Sequence, residues 1–233
     1  MAIKRSVTKH TTSGLSTQDI TTLLLAVGPI FRDQPMLVEV SVPVSVCGDV
    51  HGQIGDVVRL FDQHGWPPKM RYLFLGDYVD RGRNNVDTIC LLFALKYLNP
   101  DDFYLLRGNH ETKPVNDVYG FKGELQQHFP ATPQLDAGLQ LWQLFNTRAS
   151  RSICCGRTQT LTGTQKVVVN GFEFFADGRM MTLFKAPDYC NQFENDGGVL
   201  LIEKSGECKI KQLKSRAKVA MADPPKAGEK SPK

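Results

Sequence analysis

Residues 42–52 read Val42-Pro43-Val44-Ser45-Val46-Cys47-Gly48-Asp49-Val50-His51-Gly52, a β-branched apolar run that breaks abruptly into a polar cluster flanked by glycine. The phrase returns twice. Tyr72-Leu73-Phe74-Leu75 runs into Gly76-Asp77-Tyr78-Val79-Asp80-Arg81-Gly82, and Phe103-Tyr104-Leu105-Leu106 runs through Arg107 into Gly108-Asn109-His110-Glu111. Between the first two phrases, Val57, Leu60 and Phe61 recur at helical spacing; between the second and third, Val86, Ile89, Phe93 and Tyr97 do so, stopped by Asn99-Pro100. Asp49 to Asp77 is 28 residues and Asp77 to Asn109 is 32, close to the ~30 residues that a strand, a crossover helix and a second parallel strand need. Two consecutive βαβ units follow. Their three polar clusters emerge side by side at the carboxyl ends of neighbouring parallel strands, where open α/β sheets hold their ligands.

Working outward, residues 1–14 are polar and unpatterned and read as a flexible arm. Ser16-Thr17-Gln18-Asp19 predicts a capped helix running to about Phe31. Beyond Glu111 a helical stretch reaches His128-Phe129 and is broken at Pro130 and Pro133. A second covers Leu139 to Phe145, and residues 147–165 carry no sustained period. From Lys166 the pattern turns to strands. Val167-Val168-Val169 and Phe172-Glu173-Phe174-Phe175 flank Asn170-Gly171, predicting a type I′ hairpin. Runs at 180–184, 197–203 and 208–213 then imply a second, mostly antiparallel sheet. Residues 214–233, with Pro224-Pro225 and Ser231-Pro232, read as a disordered basic tail. The chain thus divides into an arm (1–14), one folded domain (15–213) and a tail (214–233).

Composition narrows the function. The net charge of +4 resides in the tail, whose six basic and two acidic residues account for all of it. A neutral body argues against nucleic-acid binding, which needs basic residues gathered on a folded face. The best apolar run, Leu23 to Val27, falls far short of the roughly 18 residues of a membrane span, so no membrane partner is expected. Nor does the first stretch have the apolar core of a secretory signal. Six cysteines without CxxC spacing point to reduced thiols and a cytoplasmic or nuclear setting.

The clusters offer Asp49, His51, Asp77, Asn109 and His110, hard oxygens with imidazoles, a donor set suited to Mn, Fe or Zn. An aspartate on the middle phrase, Asp77, is placed to be shared by two ions about 3.5–4 Å apart, the separation of two-metal hydrolytic sites. Arg81, in the same turn as Asp80, offers a guanidinium fork that matches two phosphoryl oxygens.

Together GDVHG (48–52), GDYVDRG (76–82) and LRGNHE (106–111) resemble the phosphoprotein phosphatases, serine/threonine phosphatases among the calcineurin-like metallophosphoesterases, and most closely their type-1 catalytic subunits. The likeness runs from Leu15 to Phe145 and resumes from Gln165 to Leu213. It implies an α/β fold with two central β-sheets sandwiched between helices, here incomplete, and two divalent ions, Mn or Fe with Zn. By the same resemblance Asp49 and His51 hold the first metal, Asp77 bridges, and Asn109 holds the second. His110, oriented by Asp80, is the general acid; Arg81 holds the phosphoryl group; Tyr189 lies over the mouth. The implied reaction is attack of a metal-bridging hydroxide on phosphoserine or phosphothreonine, with phosphoproteins as substrates and regulatory subunits as partners.

The sequence also departs from that pattern. The second metal of the family takes two further histidines, but the five of this chain are His10, His51, His64, His110 and His128. Gln165 falls where one of them belongs. Several dozen family residues are missing between Phe145 and Gln165, an internal deletion around 146–165. In Leu183-Phe184-Lys185-Ala186-Pro187-Asp188-Tyr189-Cys190, Lys185 and Asp188 replace serine and asparagine, adding one charge of each sign at the mouth. Two alternatives stay open: an inactive pseudophosphatase or truncated isoform that binds regulatory partners, and a dinucleoside polyphosphate hydrolase.

Overall fold

The computed structural model describes residues 14–35, 37–128, 167–177, 180–216 and 218. Helix α1 (Thr17–Asp33) opens on the expected capping box: Ser16 Oγ accepts from Asp19 N while the Asp19 carboxylate accepts from Ser16 N. The alternation of β1 (Val44–Cys47), α2 (Ile54–His64), β2 (Arg71–Phe74), α3 (Asn85–Leu98) and β3 (Phe103–Leu105) follows the periodicity. All three strands pair in parallel, Val44 opposite Arg71 and Tyr72 opposite Phe103. After β3 come α4 (Lys113–Tyr119) and α5 (Phe121–His128), separated by Gly120 in a left-handed conformation.

Strand alternation sends successive side chains to opposite faces. On one face Cys47, Tyr72, Phe74 and Phe103 pack with Leu24 and Val27 of α1, Leu60 and Phe61 of α2 and Ile89, Leu92 and Phe93 of α3. Phe61 meets the edge of Tyr72 at 4.9 Å, and Phe31 that of Phe93 at 5.4 Å. Helix α3 is buried on nearly every side, so its first N–H groups need a protein acceptor. Glu124 of α5 supplies one, accepting from Asn85 N at 3.0 Å and Val86 N at 2.8 Å.

The late strands differ from expectation. β4 (Phe172–Phe175) pairs with β5 (Met180–Leu183), not with residues 167–169 across Asn170-Gly171. Asn170-Gly171 does turn, Gly171 N donating to Val168 O at 3.0 Å, but tertiary bonds then claim the flanks: Asp196 N donates to Val169 O and Phe184 N to Gly171 O. Strands β6 (Gly197–Ile202) and β7 (Cys208–Leu213) form no separate sheet. β6 runs antiparallel to β1 and completes a five-stranded order β3-β2-β1-β6-β7. The β4-β5 ribbon is the second sheet, and Phe172, Met181 and Leu183 stack on Val44, Val46, Leu73, Leu200 and Ile202, the face turned away from the helices. The arm up to Ser13, the helix expected over 139–145 and the deletion region lie outside the described residues.

Gly171, at φ +77°, is pressed against β6 so closely that a Cβ would lie 2.3 Å from the Gly197 carbonyl carbon. Gly171→Ala is expected to destabilise the protein by about 2 kcal/mol or more through strain and overpacking. A lowered urea midpoint at unchanged slope checks this; an unchanged midpoint refutes it.

Candidate metal centre

The three clusters are joined by backbone bonds. Val50 N and His51 N both donate to Asp77 O, at 2.9 and 3.0 Å, and Gly52 N donates to Tyr78 O at 2.8 Å. His110 N donates to Asp77 Oδ1 at 2.8 Å. The ends of β2 and β3 come together over Gly76, φ +121°, where a Cβ would sit 2.2 Å from Gly108 N. His51, Asp77, Asp80 and Arg81 all adopt positive φ, at 48°, 54°, 70° and 69°. Such conformations cost on the order of 1 kcal/mol each and persist only where the surroundings enforce them.

Asp49, His51 and Asp77 are buried, and their ligand atoms all lie within 4.8 Å of one another. His51 Nδ1 lies 3.0 Å from the Val79 carbonyl; an oxygen that only accepts makes Nδ1 the protonated nitrogen. The lone pair is then on Nε2, which is buried, lies 3.5 Å from Asp49 Oδ2 and meets hydrogen-bond geometry with no partner among the described residues. Burial pulls the His51 pKa down, but the Asp49 and Asp77 carboxylates prevail and raise it. Burial, then the Asp49 charge, pushes Asp77 upward. Two buried carboxylates facing a bare imidazole nitrogen fit a divalent cation, whose charge relieves the repulsion and whose orbitals take the lone pair. Asn109 is exposed and opens the 3-10 turn Asn109–Glu111, whose other two residues are buried.

Beside these donors, His110 Nδ1 lies 2.9 Å from Asp80 Oδ2. Asp80 is fully buried and held by two further donors, Asn116 Nδ2 at 3.1 Å and Phe121 N at 2.9 Å. Asn116 Nδ2 also donates to the His110 carbonyl. The His110 ring stands edge-on to His51, centroids 4.7 Å apart. Arg81 is exposed, with Cζ 3.9 Å above the Tyr119 ring, and its N–H donates to Tyr119 O. Tyr189 packs 5.0 Å from His51 and edge-on to Phe184, forming one wall of a 740 Å³ cleft that also takes in His51, Gln53, Arg81, Arg83, Asp188 and Arg216.

Sequence reasoning missed Glu111 and Asn116. Glu111 is wholly buried and accepts from Asp77 N, Tyr78 N and Gly108 N, each at 2.8 Å. It stood inside a quoted motif, and an acidic residue following the third strand-end turn was the available signal. Asn116 had none. Gln165, which falls where the family has one of its metal-binding histidines, lies outside the described residues.

A parallel-stranded α/β core with carboxylates and imidazoles gathered at its strand ends defines a metal-dependent phosphoesterase. The chain belongs to the calcineurin-like phosphoesterase family, which it matches over residues 42–202, and within it to the phosphoprotein phosphatase branch. It is 31% identical to a serine/threonine-protein phosphatase PP1-delta of Caenorhabditis elegans over 277 aligned positions, covering 89% of this chain and 90% of that protein. The alignment is longer than the 233 residues of the chain, so positions of the relative face gaps here. A solved protein serine/threonine phosphatase from Saccharomyces cerevisiae, described as similar to human phosphatase PP5, superposes with a TM-score of 0.73 over 86% of this chain and 90% of its own at 24% identity, a likeness of fold. No helix among the described residues is long and apolar enough to cross a membrane.

The two charged replacements in residues 183–190 separate in space. Asp188 lines the cleft, as expected. Lys185 does not reach the mouth: it is 1% exposed, within electrostatic reach of Cys47, Asp56 and Arg59. Burial pulls its pKa from the ordinary 10.5 down to about 8. Between those values the unfolded chain binds more protons than the folded one, so stability rises with pH from about 8 to 10.5, and the penalty is fully present below 8. Lys185→Met is expected to stabilise the protein at pH 7 by on the order of 1–3 kcal/mol and to flatten that rise. Denaturation at pH 7, 9 and 10.5 checks both; a destabilised variant would show the ammonium to be favourably solvated.

Proposed function

We propose that the chain is a metal-dependent protein phosphatase acting on phosphoserine and phosphothreonine. The observation carrying this reading is the convergence of the Asp49–His51–Asp77 cluster, the His110–Asp80 pair and Arg81. Likeness to PP1-delta supports the substrate class.

Asp49, His51 and Asp77 would hold one ion, with Asp77 and Asn109 reaching a second; their oxygen and imidazole donors suit Mn, or Fe with Zn. Bound ions supply charge neutralisation for the phosphoryl oxygens and an activated water. Arg81 grips two phosphoryl oxygens, its guanidinium plane kept extended by the Tyr119 ring beneath it. His110 protonates the departing serine or threonine oxygen. Asp80 fixes the proton on Nδ1 and stabilises the charged imidazole, directing transfer through Nε2. Tyr189 closes the cleft beside His51 and keeps bulk water from that side.

One observation favours a second reading. The chain has no histidine after His128, so the second ion has fewer ligands than the family provides, as in a binding module that occupies regulatory partners.

Metal stoichiometry and phosphopeptide hydrolysis separate the two. Mn-loaded protein is expected to release phosphate from a phosphothreonine peptide faster than it cleaves a dinucleoside polyphosphate. Asp77→Ala is expected to lose bound metal and activity together. His110→Ala is expected to keep its metal while losing about 10²–10⁴-fold in turnover. Full metal occupancy in Asp77→Ala would overturn the shared-ligand role, and unchanged turnover in His110→Ala the acid role. Metal-loaded protein that binds but never cleaves the peptide would establish the binding module.

A further inference from the structure

The residues after β7 do not leave the fold where the expected tail begins. Ser215 is fully buried, and Asp196, itself 1% exposed, accepts from Ser215 N at 3.0 Å and pairs with Lys214 at 2.9 Å and Lys218 at 3.3 Å. Arg59 Nη2 donates to the Lys214 carbonyl at 3.1 Å. Arg216 N donates to Asp188 Oδ2 at 2.7 Å. The segment is therefore clamped to the rim of the cleft, and the side chain of Arg216 forms part of the cleft wall with His51, Arg81 and Tyr189.

Among the described residues the Arg216 guanidinium is only loosely paired. Nη2 lies against Gly55, where a Cβ would come within 3.2 Å, and 3.7 Å from Asp56 Oδ1, beyond hydrogen-bond reach. Arg59 approaches the same oxygen at 3.4 Å, so two guanidiniums share one carboxylate. The Asp188 carboxylate is directed to the backbone N–H, and the Arg216 side chain remains 64% exposed. Among the described residues lining the cleft, Arg81, Arg83 and Arg216 are exposed, while of the acids Glu194 is exposed, Asp188 is half-buried with its carboxylate on the Arg216 N–H, and Asp56 and Asp87 are buried. An arginine oriented by packing loses little freedom on binding and favours planar oxyanions.

We propose that Arg216, its backbone held by Asp188 and its guanidinium lying toward Asp56, is a specificity-determining residue that reads an anionic group of the substrate, a carboxylate or a second phosphate, flanking the phosphoryl group to be hydrolysed. Asp188 is a positioning residue for it. The inference rests on the phosphatase reading for the word substrate and on the cleft geometry for the anion preference.

The test uses the full-length Mn-loaded protein with p-nitrophenyl phosphate and three phosphothreonine peptides whose flanks carry alanine, glutamate or a non-hydrolysable phosphonate analogue of phosphoserine. Wild type is expected to show a KM several-fold lower for the glutamate or the phosphonate peptide than for the alanine peptide, and whichever gains more identifies the source of the anion. Arg216→Ala is expected to erase that difference with kcat unchanged and with p-nitrophenyl phosphate, which has no flank, unaffected. Asp188→Ala is expected to weaken the preference, and Asp188→Asn, which keeps an acceptor for Arg216 N, to restore it. A preference for acidic flanks surviving in Arg216→Ala, or an equal loss on all four substrates, would overturn the proposal. If wild type cleaves none of them, the phosphatase reading fails by itself. Fluorescence anisotropy with the same labelled peptides then decides the inference: a tighter acidic-flank complex lost in Arg216→Ala supports it, and equal affinities refute it.

Discussion

Glu111 accepts three backbone N–H groups from the ends of two neighbouring strands, at Asp77, Tyr78 and Gly108, in a volume closed to water. An unmet donor in such a place costs about 1–3 kcal/mol, so one carboxylate allows three otherwise prohibitive groups to be buried together. It thereby allows β2 and β3 to end close enough for Gly76 to touch Gly108, and it helps to hold Asp77 in its left-handed conformation. Electrostatics follow from the same placement. Burial, then the Asp77 charge, pushes the Glu111 carboxyl up to about 8, and Asp77 is raised in turn by burial and by Asp49. Burial and repulsion both oppose charge on Asp77, and a divalent cation held by Asp49, His51 and Asp77 would relieve that strain.

The rest of the site depends on that junction. Asp77 Oδ1 receives His110 N, which fixes the start of the 3-10 turn carrying the imidazole. Asp80 then aligns the ring, and its other oxygen receives Phe121 N at the first turn of α5, where helix N–H groups favour an anion. The same helix sends Glu124 to the start of α3. One short helix thus ties the His110–Asp80 pair to α3, which is buried on nearly every side, so the ring is positioned by core packing.

The βαβ half of the fold was legible because its signals are local: apolar runs of strand length, helical periods between them and a spacing that only a crossover satisfies. Asp49, His51 and Asp77 were legible for the same reason, since parallel strands bring their carboxyl ends together whatever lies between. The later half depends on choices among partners. Asn170-Gly171 makes its turn, but the flanks are claimed by Asp196 and Phe184, and a strand-like run such as 197–203 does not state that the open edge of β1 will take it. Lys185 and Ser215 read as surface residues by type, yet Lys185 is buried within electrostatic reach of Asp56 and Arg59, over 100 residues distant in sequence, and Ser215 is buried with its N–H on Asp196.

The two departures in the loop at 183–190 therefore act on different parts of the molecule. Lys185 places a charge beneath the loop, where it is a cost to stability and no contact for substrate. Asp188 presents an acceptor at the rim, and what it holds is the backbone of Arg216. Across the cleft, Arg81 rests on Tyr119, so the two arginines are fixed by unrelated contacts, one by an aromatic face and one by the docked segment that follows β7. A single guanidinium can grip one phosphoryl group. A second one held at a separate point of the same cleft adds a term that depends on what flanks it, and specificity is that difference between substrates.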